Sequence, residues 1–226
     1  MGISIKWFNL ENFRVKIIPG VMAVPKKFDK SKTCPHCNYI FEKTPPKKTK
    51  CPECKKDIYL IKTNDGDWLV KEGQYVEDKI IKSLEHLGFT RDQFYDYKSG
   101  FYEKSGKATQ DDFYWSLYNY LLNEKGKKDD YYAMKQIYLL MTDHVKDNPD
   151  LYHSILKSIK RTDLYEIKYN SGFKKVQITS NPGSCSSCKA IENKILTVEQ
   201  ALKEEPLPNP QCTSERGCSC FYTEYQ

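Results

Sequence analysis

Apolar side chains recur at helical spacing through the middle of the chain and alternate at its two ends. From Tyr75 to Leu87, the residues Val76, Ile80, Ile81, Leu84 and Leu87 keep a 3.6-residue period that stops at Gly88. Thr90 with Gln93 has capping-box spacing and predicts a second helix through Tyr95. Asp111 to Asn123 carries Phe113, Trp115, Leu117, Tyr118, Leu121 and Leu122, and Gly126 with its lysines breaks it. Tyr131 to Val145 continues with Met134, Ile137, Tyr138, Leu140 and Met141, and Pro149 opens a last helix with Leu151, Ile155, Leu156 and Ile159. The pattern predicts a helical bundle over 71–166.

Before the bundle, 1–25 reads as an extended segment broken by Pro19, Gly20 and Pro25, and short strands are predicted at Asn38–Glu42 and Asp57–Ile61. The run Thr63-Asn64-Asp65-Gly66-Asp67 reads as a turn and a domain boundary. After the bundle, Val176-Gln177-Ile178 alternates like a strand, and a hairpin or turn is expected over Lys189 to Ile195. Thr197 to Gln200 has capping-box spacing for a helix ending near Glu205, and Pro206, Pro208 and Pro210 hold a return segment extended. The expected fold class is α+β. It comprises a small β zinc ribbon at 26–62, the central helical bundle, and a C-terminal Cys-rich zinc module at 173–226.

The ribbon and the module are expected from the nine cysteines, which fall into two groups. Cys34-Pro35-His36-Cys37 and Cys51-Pro52-Glu53-Cys54 form two C-x2-C knuckles. Two residues between thiolates let both sulfurs reach one ion at about 2.3 Å, and two knuckles complete a tetrahedron. His36 lies inside a knuckle and is expected to face solvent. The second group is Cys185, Cys188, Cys212, Cys218 and Cys220. Cys185, Cys188 and Cys212 are the first choice of ligands there, with Cys218 or Cys220 as the fourth. A redox pair or free buried thiols are the alternatives to metal. The expected cofactor is zinc, two ions per chain, each site closed by four sulfurs and structural.

Charge follows the same division. The net charge is +6, but residues 26–56 hold ten lysines against Asp29, Glu42 and Glu53, a balance of +7, so the rest of the chain sums to −1. That places the candidate nucleic-acid contacts at Lys26, Lys27, Lys30, Lys32, Lys47, Lys48, Lys50, Lys55 and Lys56. Protein contact and a plain solvated surface are the competing readings. Phe28, Tyr39 and Phe41 are expected to form the ribbon's own small core rather than a stacking surface. Tyrosine is abundant, at 17 residues, and is expected to fill the bundle core with its hydroxyls at the edge. His86, His144 and His153 stand on separate helices and form no metal pair.

No P-loop, G-x-S-x-G, H-E-x-x-H or zinc-deaminase signature is present, and adjacent carboxylates such as Asp111 and Asp112 diverge by about 100° on a helix. No catalytic residue is assigned. No apolar run approaches the roughly 18 residues that span a bilayer, and a cytoplasmic location is expected.

The segment from Val176 to Tyr222 resembles the C-terminal zinc-binding module of phage head morphogenesis (minor capsid) proteins. The resemblance rests on Cys185-Ser186-Ser187-Cys188, on Ile191 to Thr197, on Pro206-Leu207-Pro208 and on Cys218-Ser219-Cys220. Cys212 stands where that family places a histidine, Ser219 replaces its usual arginine, and the N-terminal ribbon is no standard part of it. The resemblance implies zinc at Cys185, Cys188, Cys212 and one of the last pair. It also implies phage, prophage or mobile-element origin and a virion as a second location. The leading expectation is a non-enzymatic, zinc-stabilised nucleic-acid-binding protein. The alternatives are a structural or assembly protein such as a minor head component, with a protein partner, and a nuclease of a defence or mobile-element system.

Overall fold

In the computed structural model, which describes residues 32–63, 66–215 and 217–226, the chain is α+β, with seven α-helices and two three-stranded antiparallel sheets. It divides into two compact units, Met1–Val76 and Glu77–Gln226. The extended segment predicted at 1–25 and Phe28 lie outside the described residues.

The first unit is built on β1 (Lys48–Lys50), β2 (Asp57–Thr63) and β3 (Gly66–Val70), in the order β1-β2-β3. Alternation along β2 gives the sheet two apolar faces. Ile58 and Leu60 pack with Leu69, Phe41 and the cysteines on one side. Tyr59 and Ile61 pack with Trp68, Val70 and Tyr75 on the other. The register pairs Tyr59 with Val70 and Ile61 with Trp68, so each face is continuous across both strands. Two expectations are corrected here. Residues 38–42 form only an isolated bridge between Thr33 and Ile40, and the strand that pairs with β2 is Lys48–Lys50 instead. The turn at 63–67 is not a boundary, because β2 and β3 pair across it from Thr63 and Gly66 onward.

The second unit holds the helices. The helix α1 (Glu72–Glu85) crosses the division between the units, and α2 (Arg91–Ser105), α3 (Gln110–Gly126), α4 (Tyr131–His144) and α5 (Pro149–Glu166) follow. Capping fixes the starts. Thr90 with Gln93 and Thr109 with Asp112 form reciprocal capping boxes, while the side chains of Asp130 and Asn148 cap α4 and α5. The core joins Ile80, Ile81 and Leu84 to Phe94, Phe113, Leu117, Tyr118, Leu121, Ile137, Met141, Ile155 and Ile159. Phe113 is its centre, with the rings of Phe94, Phe101, Tyr102 and Tyr114 at 5.2–5.9 Å. Tyr114 and Tyr118 are buried and their hydroxyls meet Gln110 and His144, so tyrosine serves this core as a large side chain with a satisfied polar tip.

Val76 and Leu151 read as core positions in the periodicity but are exposed, and Asp78 takes the buried place on α1. Asp78 is held by Lys82 and Arg91, both at 2.7 Å. A buried carboxylate is tolerated only with such partners.

The α5 helix ends in a π-turn, Ile167–Ser171, closed by Gly172 in the left-handed region. The chain then forms β4 (Lys175–Thr179), α6 (Ser186–Ala190), β5 (Ile195–Thr197), α7 (Val198–Glu204) and β6 (Phe221–Tyr225), with the sheet in the order β5-β4-β6. The capping box at Thr197 and Gln200 forms as expected. The short helix α6 runs through Ala190, and the turn expected after Cys188 follows at 191–193. Val176, Ile178, Leu196, Val198, Ala201, Leu207 and Tyr222 make a separate core that includes Cys188, Cys218 and Cys220.

Removing the buried charge should be costly. Asp78→Ala should lower the stability of the second unit by about 2–4 kcal/mol in urea unfolding, below the largest buried-pair losses because Arg91 and Lys82 retain water. Burial lowers the pKa of His144 against the opposing pull of Asp111 and Asp143, and its Nε2 lies 3.0 Å from the Tyr118 hydroxyl. Protonation therefore favours the unfolded chain. The stabilisation is present above about pH 6.5 and is lost as the pH falls from there through the lower folded-state value. His144→Asn should flatten this part of the stability–pH curve measured between pH 7 and 5.

Candidate metal centres

The ribbon centre is assembled from two knuckles with the same backbone. In each, the first cysteine accepts from the N–H four residues on, Asn38 to Cys34 at 3.0 Å and Lys55 to Cys51 at 2.9 Å. In each, its own N–H donates to the carbonyl five residues on, Cys34 to Tyr39 at 2.7 Å and Cys51 to Lys56 at 2.9 Å. Asn38 and Lys55, at φ of 63° and 60°, provide the left-handed step that closes the turn. Each turn aims backbone N–H groups at sulfur. The His36 N–H lies 3.5 Å from the Cys34 Sγ, the Tyr39 backbone bonds Cys37, and those of Glu53 and Cys54 bond Cys51.

The four sulfurs of Cys34, Cys37, Cys51 and Cys54 all lie within 4.8 Å of one another. Cys34 and Cys54 are 3.8 Å apart, and Cys37 and Cys51 are 3.6 Å apart. A tetrahedron with bonds of about 2.3 Å has edges of about 3.8 Å. The group can hold a metal ion with little rearrangement. Its protons are unevenly held. The Tyr39 N–H favours the Cys37 thiolate, but burial and the neighbouring thiols push Cys37 up to about 12. Burial opposes ionisation of Cys51, yet the backbone N–H groups of Cys54 and Glu53 and the shared thiols bring it down to about 7. A cation at the centre removes the repulsion that holds the protons on.

His36 does not face solvent as expected. It is partly buried, and its Nε2 sits 3.2 Å from the Asp57 carbonyl, outside the four-sulfur set. Phe41 packs on the cysteines as predicted, and Tyr39 meets it edge-on at 5.1 Å while remaining partly exposed.

The C-terminal centre is arranged differently. Cys185, Cys188 and Cys212 form one group of three sulfurs within 4.8 Å, and Cys188, Cys218 and Cys220 form another. Cys188 belongs to both. Cys185 lies 3.8 Å from Cys212, and Cys188 lies 3.7 Å from Cys218. Cys185 caps α6, where the Ser187 hydroxyl at 3.1 Å and the backbone N–H groups of Thr213 and Cys188 bring its thiol down to about 5. Burial and its four cysteine neighbours hold Cys188 far above the usual thiol range. All nine cysteines are free of disulfides.

Asn209 was not singled out by any spacing in the sequence, yet it organises this centre. Its side chain is buried among the cysteines and donates to the Ser187 carbonyl at 2.9 Å, with the Cys188 Sγ at 3.8 Å. Its Oδ1 accepts from the Gln211 N–H at 3.0 Å, its carbonyl accepts from Cys212 at 3.0 Å, and its backbone also bonds Cys218. Ser187 adds a 2.7 Å bond to the Gln211 carbonyl. The proline-bounded return segment is thus tied to the first knuckle through polar groups. Gly217 completes the approach. At φ 78° it packs so closely on α5 that a Cβ would come within 2.9 Å of Leu156 and Tyr152.

The described ribbon lysines divide by engagement. Lys48 pairs with Asp57 at 3.1 Å and lies over the Tyr59 ring, Lys32 bonds the Glu42 carbonyl, and Lys55 bonds the Pro52 carbonyl. Lys47, Lys50 and Lys56 are exposed. Lys50, Lys55 and Lys56 line a concavity with His36, Asp57 and Glu72. Lys26, Lys27 and Lys30 lie outside the described residues. Among the described residues, no helix is long and apolar enough to cross a membrane. Comparison with models of known families, with curated proteins and with solved structures gives no match.

Asn209→Leu keeps the volume and removes the polar ties. It should weaken metal retention at the C-terminal centre by about 10–100-fold in a chelator competition, the usual size of an outer-shell loss, while retention at the ribbon stays unchanged.

Proposed function

We propose that the chain is a zinc-stabilised, non-enzymatic protein that contacts the phosphate backbone of nucleic acid through its ribbon. Zinc would occupy both centres, two ions per chain. Thiolate sets with N–H support and near-tetrahedral edges suit that ion, and a four-sulfur site leaves no position for catalysis. The origin in a phage, prophage or mobile element is part of the same reading and rests on the resemblance of the C-terminal module.

The observation that carries the nucleic-acid reading is the side of the ribbon around the second knuckle. Lys50, Lys55 and Lys56 line one concavity with His36, Asp57 and Glu72, and Lys47 stands exposed on the same hairpin. Zinc with four thiolates leaves each centre at about −2 relative to neutral thiols. The ribbon segment, at +7 before metal, therefore keeps about +5. Lysines suit this role as point charges on phosphate, with no demand for base-specific geometry.

Binding to a labelled duplex and to a single strand, measured over a range of salt, tests the proposal. Affinity should fall steeply with salt. The triple variant Lys47→Gln/Lys50→Gln/Lys56→Gln should bind more weakly, with a log–log salt slope shallower by about 1 per phosphate contact removed. Absence of binding to either probe at low salt would refute the reading.

A further inference from the structure

We propose that the C-terminal centre completes the coordination of one ion with either Cys218 or Cys220, which exchange as the fourth ligand, so that five thiols serve a single metal. The proposal rests on the reading that this centre binds metal at all.

Three sulfurs form a fixed tripod. Cys185 and Cys188 belong to one knuckle, and Cys212 is held against it by Asn209 and Ser187. Neither Cys218 nor Cys220 joins the tripod within 4.8 Å, whereas both lie that close to Cys188 and to each other. This contrasts with the ribbon, where all four sulfurs satisfy the same separation. The two candidates share burial and proximity to Cys188, and Cys218 also bonds the Asn209 backbone. They stand two residues apart, immediately before β6. Cys218 is 6% exposed and Cys220 is 0% exposed, while Ser219 between them faces solvent. The segment offers two buried sulfurs to one ion, both beside Cys188.

Charge argues against simultaneous binding. A divalent ion with four thiolates carries about −2, and a fifth thiolate would raise that to about −3 in a buried site. The spare cysteine therefore stays a neutral thiol. The exchange balances without a co-reactant. The metal–sulfur bond to Cys218 breaks as the bond to Cys220 forms, and the proton of the Cys220 thiol passes to the Cys218 sulfur, leaving the net charge unchanged. Lys160, a largely buried ammonium within electrostatic reach of both sulfurs, offsets part of the negative charge in either arrangement.

Metal content of the purified full chain tests this, with the ribbon ion as an internal reference. The wild type, Cys218→Ser and Cys220→Ser should each retain two ions per chain, and Cys218→Ser/Cys220→Ser should retain one. A single variant that folds by circular dichroism but holds one ion would overturn the proposal, because one cysteine would then be the dedicated ligand. A double variant holding two ions would overturn it as well, since neither cysteine would be needed. A wild type holding one ion, with that ion lost on Cys51→Ser, would refute metal binding at the C-terminal centre itself. The unmodified protein gives a second readout. The Cβ resonances of Cys218 and Cys220 in the metal-loaded chain should both be exchange-averaged or doubled. One fixed thiolate beside one fixed thiol would overturn the proposal without any substitution.

Discussion

Thiol convergence is the constraint on which the rest of this structure depends. All nine cysteines arrive as spaced pairs or as returns to a pair, and the two centres enforce the arrival by different backbone devices. In the ribbon the enforcement is local, since two copies of one hydrogen-bonded turn each deliver two sulfurs and the hairpin β1–β2 only has to bring the turns together. In the C-terminal module it is distant, since a knuckle capping α6, a proline-bounded return and the approach to β6 must meet from three parts of the chain. The small cores around both centres pack directly onto the cysteines. Units this small bury little apolar surface, so a cation among the thiolates would contribute to folding as much as to any chemistry.

The legible parts of the fold were those fixed by local rules. C-x2-C spacing identified the ribbon centre, and capping boxes at Thr90 and Thr197 identified helix starts, because both act within four residues. The hidden parts were those fixed by tertiary context. Ile40 and Phe41 look like strand residues, but the pairing positions beside β2 went to Lys48–Lys50, whose lysines gain Asp57 and Tyr59 as cross-strand neighbours. The run around Asn64 and Gly66 has the composition of a linker and of a hairpin turn alike, and only the facing residues Ile61 and Trp68 decide between them. On α1 the apolar period pointed to Val76, while the buried position is Asp78, made tolerable by Arg91 from the next helix. Asn209 was invisible for the same reason. An amide between two prolines reads as loop, and its role exists only once Ser187 and Cys188 stand beside it.

Fold and charge are separable in this protein. The helical unit uses its charges on itself, in pairs such as Lys135 with Asp163 and Lys157 with Glu205, and its aromatic residues largely in its core. The ribbon uses Lys48 to brace its hairpin and holds Lys47, Lys50 and Lys56 exposed. Surface pairs of the first kind contribute little stability each, but they leave the helical unit with little field of its own. A long-range electrostatic influence of the molecule would then originate from the ribbon.

The two ribbon knuckles repeat one backbone, yet they do not repeat its charge. The left-handed position is Asn38 in the first and Lys55 in the second, and the following residue is Tyr39 in the first and Lys56 in the second. A lysine in that conformation costs about 1 kcal/mol against glycine, so the second turn places a cation where the geometry alone would favour a smaller residue. The pseudo-symmetric four-sulfur group therefore has one neutral and one cationic lobe. It has a direction, and a polyanion meeting it would be oriented as well as held.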